Sequence, residues 1–204
     1  WQYIQQSSQS LSFMFGDNSF YNERGNGSIG NVFTRAGVWY HVVLAVDVTQ
    51  SAGQRVVAYV NGTAITPSFD NDTGNDFYDG TDLNLYIGAW NQGSGVQFFT
   101  DGSFDDVRIY NRFLSATEVR SIYNEGAIIV GKSQEDQLSD GLVGYWSFNG
   151  KDIDWAAGKA WDRSGNLNHG TLTNMSQTAT PVAGRIGQAL RFDGSDDSVT
   201  FSAV

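Results

Sequence analysis

The dipeptide Asn61-Gly62 is the feature that most constrains the fold of this chain. It lies between two runs with the composition of β-strands, 55–60 before it and the residues from Thr63 after it. Both residues tolerate a positive φ, so the dipeptide fits a two-residue turn whose twist matches that of the flanking strands. We therefore predict a tight β-hairpin at this position.

Strand-length apolar stretches recur along the whole chain. The residues 83–87 alternate as a half-buried strand does, and 41–48 is apolar enough to be buried on both faces. With 24 glycines and 14 % aromatic residues, the pattern predicts an all-β fold of short strands joined by tight turns. The predicted strands are 11–15, 39–48, 55–60, 83–90, 104–110, 142–148, 189–192 and 198–204.

One short helix is predicted after Phe113. Ser115 followed by Glu118 forms a capping box, and Leu114 with Val119 forms a hydrophobic staple. Further apolar residues share the helix face of Val119, so the helix is expected to pack one side against the sheets.

The charge balance and composition exclude several classes of partner. The formal net charge is −10, whereas nucleic acid binding needs clustered Lys and Arg, so no nucleic acid partner is expected. Because the chain has no cysteine, disulfides, thiolate metal sites and cysteine nucleophiles are excluded.

No apolar run approaches the ~20 residues that a membrane span needs, so no membrane insertion is expected. The chain begins at Trp1 without a signal peptide, as a processed or excised piece would.

Two groups of motifs resemble the two parts of a laminin-G-like jelly-roll domain of the concanavalin-A-like type. The first group is similar to the C-terminal two-thirds of such a domain and comprises 37–43, 59–62, 85–88 and 104–115. The second group is similar to its N-terminal third and comprises 141–148, 162–170 and 184–197. The resemblance implies an all-β fold, a jelly-roll β-sandwich of two antiparallel sheets with one short helix.

The order of the two parts is the reverse of the order usual in this family. The family runs from a Gly-Tyr-Trp-Ser-Phe strand, here 144–148, to an Asp-Asp-Val-Arg-Ile-Tyr strand, here 105–110. Because such domains often occur in tandem, the chain is interpreted as the end of one repeat followed by the start of the next. A middle segment of roughly 20–30 residues, or two to three strands, is then expected to be missing between its two ends.

The reversed order defines the domain organisation. We expect 1–126 to be the C-terminal two-thirds of a sandwich, 127–140 a linker, and 141–204 the N-terminal third. The last part can close on its own chain as a circular permutant, because the termini of compact domains often lie close together. Alternatively, it can complete the sandwich of a neighbouring chain, which would join copies head to tail into a filament.

Catalysis is not expected from this sequence. Glycosidases of the family would need two carboxylates about 5–10 Å apart in one cleft, and their usual signature, Glu-x-Asp-x-x-Glu on one strand, does not occur here. The two histidines, His41 in a predicted strand and His169 in a turn, have no serine elbow near them. A glycoside hydrolase is therefore the third alternative for function.

A structural Ca²⁺ ion is the cofactor that the resemblance implies. Calcium takes six to eight oxygens from carboxylates, carbonyls and amides. Asp105 is the first candidate ligand, and Asp162 with Asn166 is the second. The alternative is that these side chains cap turns through hydrogen bonds to the backbone. A further acidic turn, 193–197, is interpreted as solvated.

Carbohydrate binding is a frequent activity of the family. Sugars stack their C–H faces on exposed aromatic rings that are flanked by amides and carboxylates. Trp90, Asn91 and Gln92 fit this pattern at the end of a predicted strand, and Tyr78 lies in a loop-like context. The alternative is that most aromatic side chains belong to the core.

The sequence thus favours a non-catalytic extracellular or cell-surface module with a structural or adhesive role. Its expected partners are head-to-tail neighbours of the same chain or tandem repeats, and glycans under the alternative of a lectin-like module. Self-assembly into a filament would follow from strand exchange or complementation between subunits.

Overall fold

The structure is a computed structural model that describes 11–16, 23–29, 35, 37–47, 49–51, 54–66, 68–71, 85–91, 95–124 and 138–202. The chain divides into two compact units. The first unit comprises 1–80 and 113–132, and the second comprises 81–112 and 133–204. Every strand pairing of the described residues lies within one unit.

The described residues of the first unit form two three-stranded antiparallel sheets and one α-helix. One sheet has the order β1-β2-β6 and the other the order β3-β4-β5. These elements are β1 (Leu11–Gly16), β2 (Glu23–Ile29), β3 (Val42–Val46), β4 (Val56–Val60), β5 (Thr63–Ile65), β6 (Ser68–Asn71) and α1 (Ala116–Asn124).

The hairpin predicted at Asn61-Gly62 is confirmed. Asn61 has φ 50° and Gly62 has φ 74°, and Val60 pairs with Thr63 directly across the turn. The neighbouring strand β3 differs from expectation, because only its residue Ala45 is buried and the other four are half-buried. Its apolar run reflects β-propensity more than burial on both faces.

The capping box that starts α1 is also confirmed. The backbone N–H of Ser115 donates to Glu118 Oε2 at 2.8 Å, and the backbone N–H of Glu118 donates to Ser115 Oγ at 3.3 Å. The staple residues Leu114 and Val119 are both buried, at 5 % and 0 % exposure. Sequence-local chemistry therefore fixes the N-terminus of this helix.

The second unit contains three sheets and a two-stranded hairpin. Their strand orders are β13-β14-β15-β18-β7, β10-β17-β16, β11-β12 and β8-β9. The strands are β7 (Leu85–Ile87), β8 (Trp90–Asn91), β9 (Val96–Gln97), β10 (Asp101–Phe104), β11 (Val107–Tyr110), β12 (Leu142–Trp146), β13 (Ile153–Asp154), β14 (Lys159–Ala160), β15 (Gly170–Thr173), β16 (Pro181–Ala183), β17 (Gln188–Asp193) and β18 (Ser198–Phe201). A short 3₁₀ helix, Gly150–Asp152, precedes β13.

Both predicted parts of the sequence contribute strands to the sheets of this unit. The earlier segment, 85–110, supplies β7, β10 and β11, and the later segment, 142–201, supplies their antiparallel partners β18, β17 and β12. These three pairings connect the two segments within one chain. The division into 1–126, 127–140 and 141–204 stays a prediction, and most of the expected linker lies outside the described residues.

Side chains of three sheets meet in one hydrophobic core in the second unit. Trp146 of β12 is 0 % exposed, and its ring centroid lies 4.0 Å from that of Phe201 of β18. Phe104 of β10 packs edge to face against Phe192 of β17, with centroids 5.0 Å apart. The buried core residues are Ile87, Trp146, Phe148, Ile153, Ala160, Leu190, Phe192, Val199 and Phe201.

In two of the predicted strands, a non-glycine residue with a positive φ lies inside the predicted stretch and the strand is shorter than expected. The stretch 104–110 is interrupted at Asp106, which has φ 55°, so β10 and β11 belong to different sheets. The stretch 142–148 ends as a strand at Trp146, and Phe148 has φ 53°. Non-glycine residues adopt this left-handed region only when the surroundings hold them there.

The architecture is an all-β sandwich, which confirms the predicted fold class. Antiparallel sheets carry most of the described elements, and α1 is the one α-helix among them. Across the described ranges, no helix combines the length and apolar character needed to cross a membrane.

Candidate functional site

Asp105 lies at the corner between β10 and β11. Its Oδ2 accepts a hydrogen bond of 2.9 Å from the backbone N–H of Ile186. Its Oδ1 is buried and has no hydrogen-bond partner within the described part of the chain. Burial raises the pKa of Asp105 against the lowering effect of the backbone N–H groups of Ile186, Arg185 and Asp106. A buried carboxylate oxygen without a donor is a group that a bound cation can satisfy.

The turn after β16 closes over this carboxylate. A Cβ added to Gly184 would lie 2.6 Å from Asp105 Oδ2, so the close approach requires glycine. The turn is held by a hydrogen bond of 3.0 Å from Gly184 N–H to the carbonyl of Gly187. On the side that faces this turn, Asp105 is in contact with N–H groups. These groups donate hydrogen bonds to a carboxylate, but they cannot coordinate a cation. Asp105 thus offers one free oxygen toward the six to eight that Ca²⁺ takes.

Asp162 has a different environment from Asp105. Its carboxylate accepts hydrogen bonds from the backbone N–H groups of Tyr145, Ser164 and Asn168 and from the Ser164 hydroxyl, at 2.8–3.0 Å. Burial acts to raise the pKa of Asp162, but these hydrogen bonds outweigh it and hold the pKa below its usual value. The carboxylate therefore organises a turn, which is the alternative interpretation given for it.

Asn166 belongs to the same turn. Its Nδ2 donates to the carbonyls of Leu142 and Val143, at 2.9 and 3.1 Å. These bonds fasten the turn to β12. Asp105 accepts a hydrogen bond from the turn after β16, whereas Asp162 accepts its hydrogen bonds from Tyr145 and from its own turn. Their assignment as calcium ligands stays a prediction.

A cluster of three carboxylates occupies the turn between β17 and β18. Candidate ligand oxygens of Asp193, Asp196 and Asp197 all lie within 4.8 Å of one another. Asp193 and Asp196 are exposed, as the prediction of a solvated turn has it, whereas Asp197 is only 7 % exposed. Burial raises the pKa of Asp197, with added repulsion from the other two carboxylates. Its Oδ2 accepts the backbone N–H of Asp193 at 3.0 Å, which also makes it a turn-capping group.

The residues predicted to bind carbohydrate are described only in part. Trp90 and Asn91 form β8, which pairs with β9 in a short hairpin. Gln92 and Tyr78 lie outside the described residues. The backbone therefore places Trp90 in a two-residue strand of a hairpin, and its role in sugar binding stays a prediction.

A cleft of about 280 Å³ opens in the second unit beside the core. Its apolar lining comes from Phe148, Ile153, Trp155, Pro181 and Leu190. Phe148 is 2 % exposed and Leu190 is 1 % exposed, while Trp155 and Pro181 are half-buried nearer the opening. No short-range pattern predicted this cleft, because its residues come from separate strands and turns that only the fold brings together.

Two glutamine side chains supply polar groups to the same cleft. Gln188 Oε1 accepts a hydrogen bond of 2.8 Å from the backbone N–H of Gly150, and Gln177 is exposed. A Cβ on Gly150 would lie 2.6 Å from Gln188 Oε1, so glycine is needed for this contact. None of the residues known to line the cleft in the described structure carries a charge.

The antiparallel sheets, the shared aromatic core and the capped helix define a class of protein, the β-sandwiches of lectin-like architecture. The model of one family, the concanavalin A-like lectin/glucanases superfamily, matches residues 1–120. The chain belongs to this superfamily. The matched range contains the first group of motifs, 37–43, 59–62, 85–88 and 104–115. No curated protein and no solved structure matches the chain.

Proposed function

We propose that the chain is a non-catalytic extracellular module with a structural or adhesive role, and that it joins to further copies of itself. The observation that carries the proposal is the pairing of segment 85–110 with segment 142–201 through three strand pairs. Sequence order is reversed relative to the family, so the later segment takes the place that an earlier part of a usual domain would fill. The same pairings can form within a copy or between copies.

In the form of the proposal that we favour, each copy is a closed module and copies associate through their surfaces. The three pairings already use the strands of both segments in one chain. In the second form, neighbouring chains exchange the later segment and build a filament. Both forms pair the same strands with the same geometry. They differ only in whether the paired strands belong to one chain or to two.

A non-catalytic role is supported by what the acidic side chains do in this fold. Glu118 is engaged in the capping box with Ser115, and Asp162 is engaged with a turn. Asp152, which is 2 % exposed, forms an ion pair with Arg163 and a hydrogen bond with Ser147. These carboxylates hold structure together, whereas glycoside hydrolysis needs two that face one cleft.

An extracellular location is supported by the family and by composition. The superfamily match covers residues 1–120, and laminin-G-like domains of this superfamily are commonly extracellular. A net charge of −10 favours solubility at high local density, as a surface protein requires. Labelling of intact cells with an antibody to the chain, before and after permeabilisation, tests this location: a signal that needs permeabilisation would contradict it.

Self-association is tested by light scattering coupled to size-exclusion chromatography, from micromolar to millimolar chain concentration, with electron microscopy of the concentrated sample. We expect the mean mass to rise with concentration, and short head-to-tail assemblies to appear. A monomer of constant mass across the range would refute self-association in either form.

Carbohydrate binding is the second candidate function, favoured by the placement of Trp90 and Asn91 in the short hairpin of β8 and β9. A short hairpin can present an aromatic ring without rearrangement of the sheets. A glycan array tests it. Saturable binding that is lost in Trp90→Ala supports a lectin-like module, and an array without signal speaks against one.

A structural Ca²⁺ ion is part of the proposal through Asp105. The support is the buried Oδ1 that has no partner among the described residues, since a bound cation would satisfy this oxygen. Asp162 is less suited, because its carboxylate already accepts four hydrogen bonds. The role of the ion would be to stabilise the corner between β10 and β11.

A further inference from the structure

One apolar side chain projects from the second unit without cover. Leu167 is 73 % exposed, which is the largest value among the exposed large hydrophobic residues of the described structure. Its backbone has φ 63°, a conformation that side-chain-bearing residues rarely adopt. The turn 162–169 therefore holds a leucine outward in a conformation that the isolated chain would not favour.

The turn that carries Leu167 is rigid. On the C-terminal side of Leu167, Asn168 N–H donates to Asp162 Oδ2 at 3.0 Å, and Asn168 Nδ2 donates to the carbonyl of Val143 at 2.9 Å. The indole N–H of the fully buried Trp146 donates to the carbonyl of Asn168 at 2.9 Å. A backbone that is held in place before binding loses little entropy when it docks, so the turn presents Leu167 as an anchor from a pre-organised backbone.

The cleft lined by Phe148, Ile153, Trp155, Pro181 and Leu190 is complementary to such an anchor. Its volume of about 280 Å³ accommodates one branched aliphatic side chain with part of its backbone. Gln188 Oε1 accepts the Gly150 N–H, and the Nε2 group of the same amide is a hydrogen-bond donor. Such a donor suits a backbone carbonyl next to the inserted side chain.

A neutral sugar is a poorer occupant of the same cleft. A pyranose carries several hydroxyl groups, and each hydroxyl buried without a partner costs about 1–3 kcal/mol. The lining offers the amides of Gln177 and Gln188, and no charged side chain. Because the cleft is mostly apolar and offers few polar groups, an apolar side chain flanked by peptide groups fits it better than a sugar does.

Charge restricts where two copies can touch. At a net charge of −10 per chain, copies repel each other, so a contact between them is least opposed where neither face is ionised. The tip of the turn, Gly165 to Asn168, has no charged residue, and neither has the lining of the cleft. These two surfaces can meet without adding like-charge contacts at their centre.

We propose that Leu167 of one copy inserts into the cleft around Trp155 of a second copy. The proposal rests on the self-association proposed above and names the surfaces that carry it. The two surfaces differ, so the contact is heterologous, and a pair of copies keeps one unused leucine and one unused cleft. A heterologous contact that does not close extends into a chain of modules.

The test uses sedimentation velocity of the whole chain over a range of concentration. Leu167→Asp places a charge on the anchor, and Gln177→Glu places one at the mouth of the cleft. We expect each variant to weaken association about tenfold or more, which corresponds to losing the burial of one leucine. Val38→Asp is the matched control, because Val38 is also an exposed apolar residue, at 50 %, and we expect it to associate as the wild type does.

Mixing the two variants tests the heterologous geometry. Leu167→Asp retains a working cleft and Gln177→Glu retains a working anchor, so an equimolar mixture should form dimers that do not extend further. Because both positions are exposed, unchanged circular dichroism and thermal midpoints are expected to show that each variant folds.

The remaining outcomes overturn one proposal or both. If the wild type stays monomeric, self-association fails and this contact fails with it. If the wild type associates and Leu167→Asp associates equally well, the contact is wrong while self-association stands. Binding of a neutral monosaccharide that is abolished in Trp155→Ala would assign the cleft to sugar and overturn the proposed occupant.

Discussion

The guanidinium of Arg108 lies over the ring of Tyr145, 4.5 Å from its centroid. The two residues are opposite each other in the β11–β12 pair, and Arg108 also forms a 3.3 Å ion pair with Asp106. The contact joins a residue of the earlier segment to a residue of the later one. It is thus a local probe of the pairing between the two segments.

Tyr145 makes stability depend on pH in the alkaline range. Burial and then the charge of Asp106 raise the pKa of Tyr145 to about 12, against a usual value of 10.0. Between these values the folded chain holds a proton that the unfolded chain releases, so stability falls as pH rises. We expect the free energy of unfolding, measured in urea, to fall less between about pH 9 and about pH 11 in Tyr145→Phe than in the wild type. Equal losses in both proteins would contradict the shift.

Asp162 stabilises the 162–169 turn, and its removal should be costly. Asp162→Ala leaves three backbone N–H groups without their acceptor, with an expected loss of about 2–4 kcal/mol in the free energy of unfolding. Asp162→Asn retains one acceptor oxygen and should lose less. Asp196→Ala serves as the control, because Asp196 is exposed. Chemical denaturation measures all three, and equal losses in the variants would contradict the structural role.

The lowered pKa of Asp162 adds an acid signature to the same variants. The folded pKa lies below the usual value of 3.8, so the stabilisation is present above 3.8 and is lost as pH falls through the folded pKa. The difference in stability between wild type and Asp162→Asn should accordingly shrink toward the acid end of a pH series.

Asp105 responds to acid in the opposite direction. Burial raises its folded pKa above 3.8. The contribution of Asp105 to the free energy of unfolding therefore increases as pH falls through the folded pKa toward 3.8. In EGTA we expect Asp105→Asn to be as stable as the wild type near neutral pH, or more stable by up to about 1 kcal/mol.

Added Ca²⁺ then tests the proposed ion directly. The wild type should melt at a higher temperature with Ca²⁺ than with EGTA, and Asp105→Asn should not. Asp196→Asn is the control from the other acidic turn. A calcium effect that persists in Asp105→Asn and disappears in Asp196→Asn would move the site to Asp193, Asp196 and Asp197. No effect in any protein would remove the ion from the proposal.

Local sequence signals predicted some elements of this fold and missed others: the strands β2, β6, β9 and β13 to β16 lie outside every predicted stretch. The Asn61-Gly62 turn and the Ser115–Glu118 capping box depend on residues within four positions of each other, and both have the expected geometry. The order of family motifs predicted the sandwich. What local signals did not show is the break at Asp106, where the corner is held by contact with the 184–188 turn.

The candidate site was harder to predict because its groups are distant in sequence. Asp105 Oδ2 is bonded to Ile186 N–H, 81 residues away, and this separation gives no periodic or short-range pattern. The cleft likewise combines Trp155 with Pro181 and Gln188. Asp162 carried a turn motif that suits both a metal ligand and a cap, and only its hydrogen bonds distinguish the two roles.

The central claim is that the later segment completes the sheets of its own chain, and a disulfide lock tests it most directly. Ser103 of β10 pairs with Arg191 of β17, and opposed residues of antiparallel strands lie close enough for a disulfide. The chain has no cysteine, so Ser103→Cys/Arg191→Cys reports only this pair. Thr171→Cys/Thr200→Cys, within the later segment, is the control that yields an internal disulfide in every case.

After oxidation at low concentration, the Ser103→Cys/Arg191→Cys chain should run as a monomer on a non-reducing denaturing gel, with the shifted mobility of an internally cross-linked chain. A ladder of disulfide-linked dimers and larger species, alongside a monomeric Thr171→Cys/Thr200→Cys control, would contradict the claim and place the β10–β17 pairing between chains.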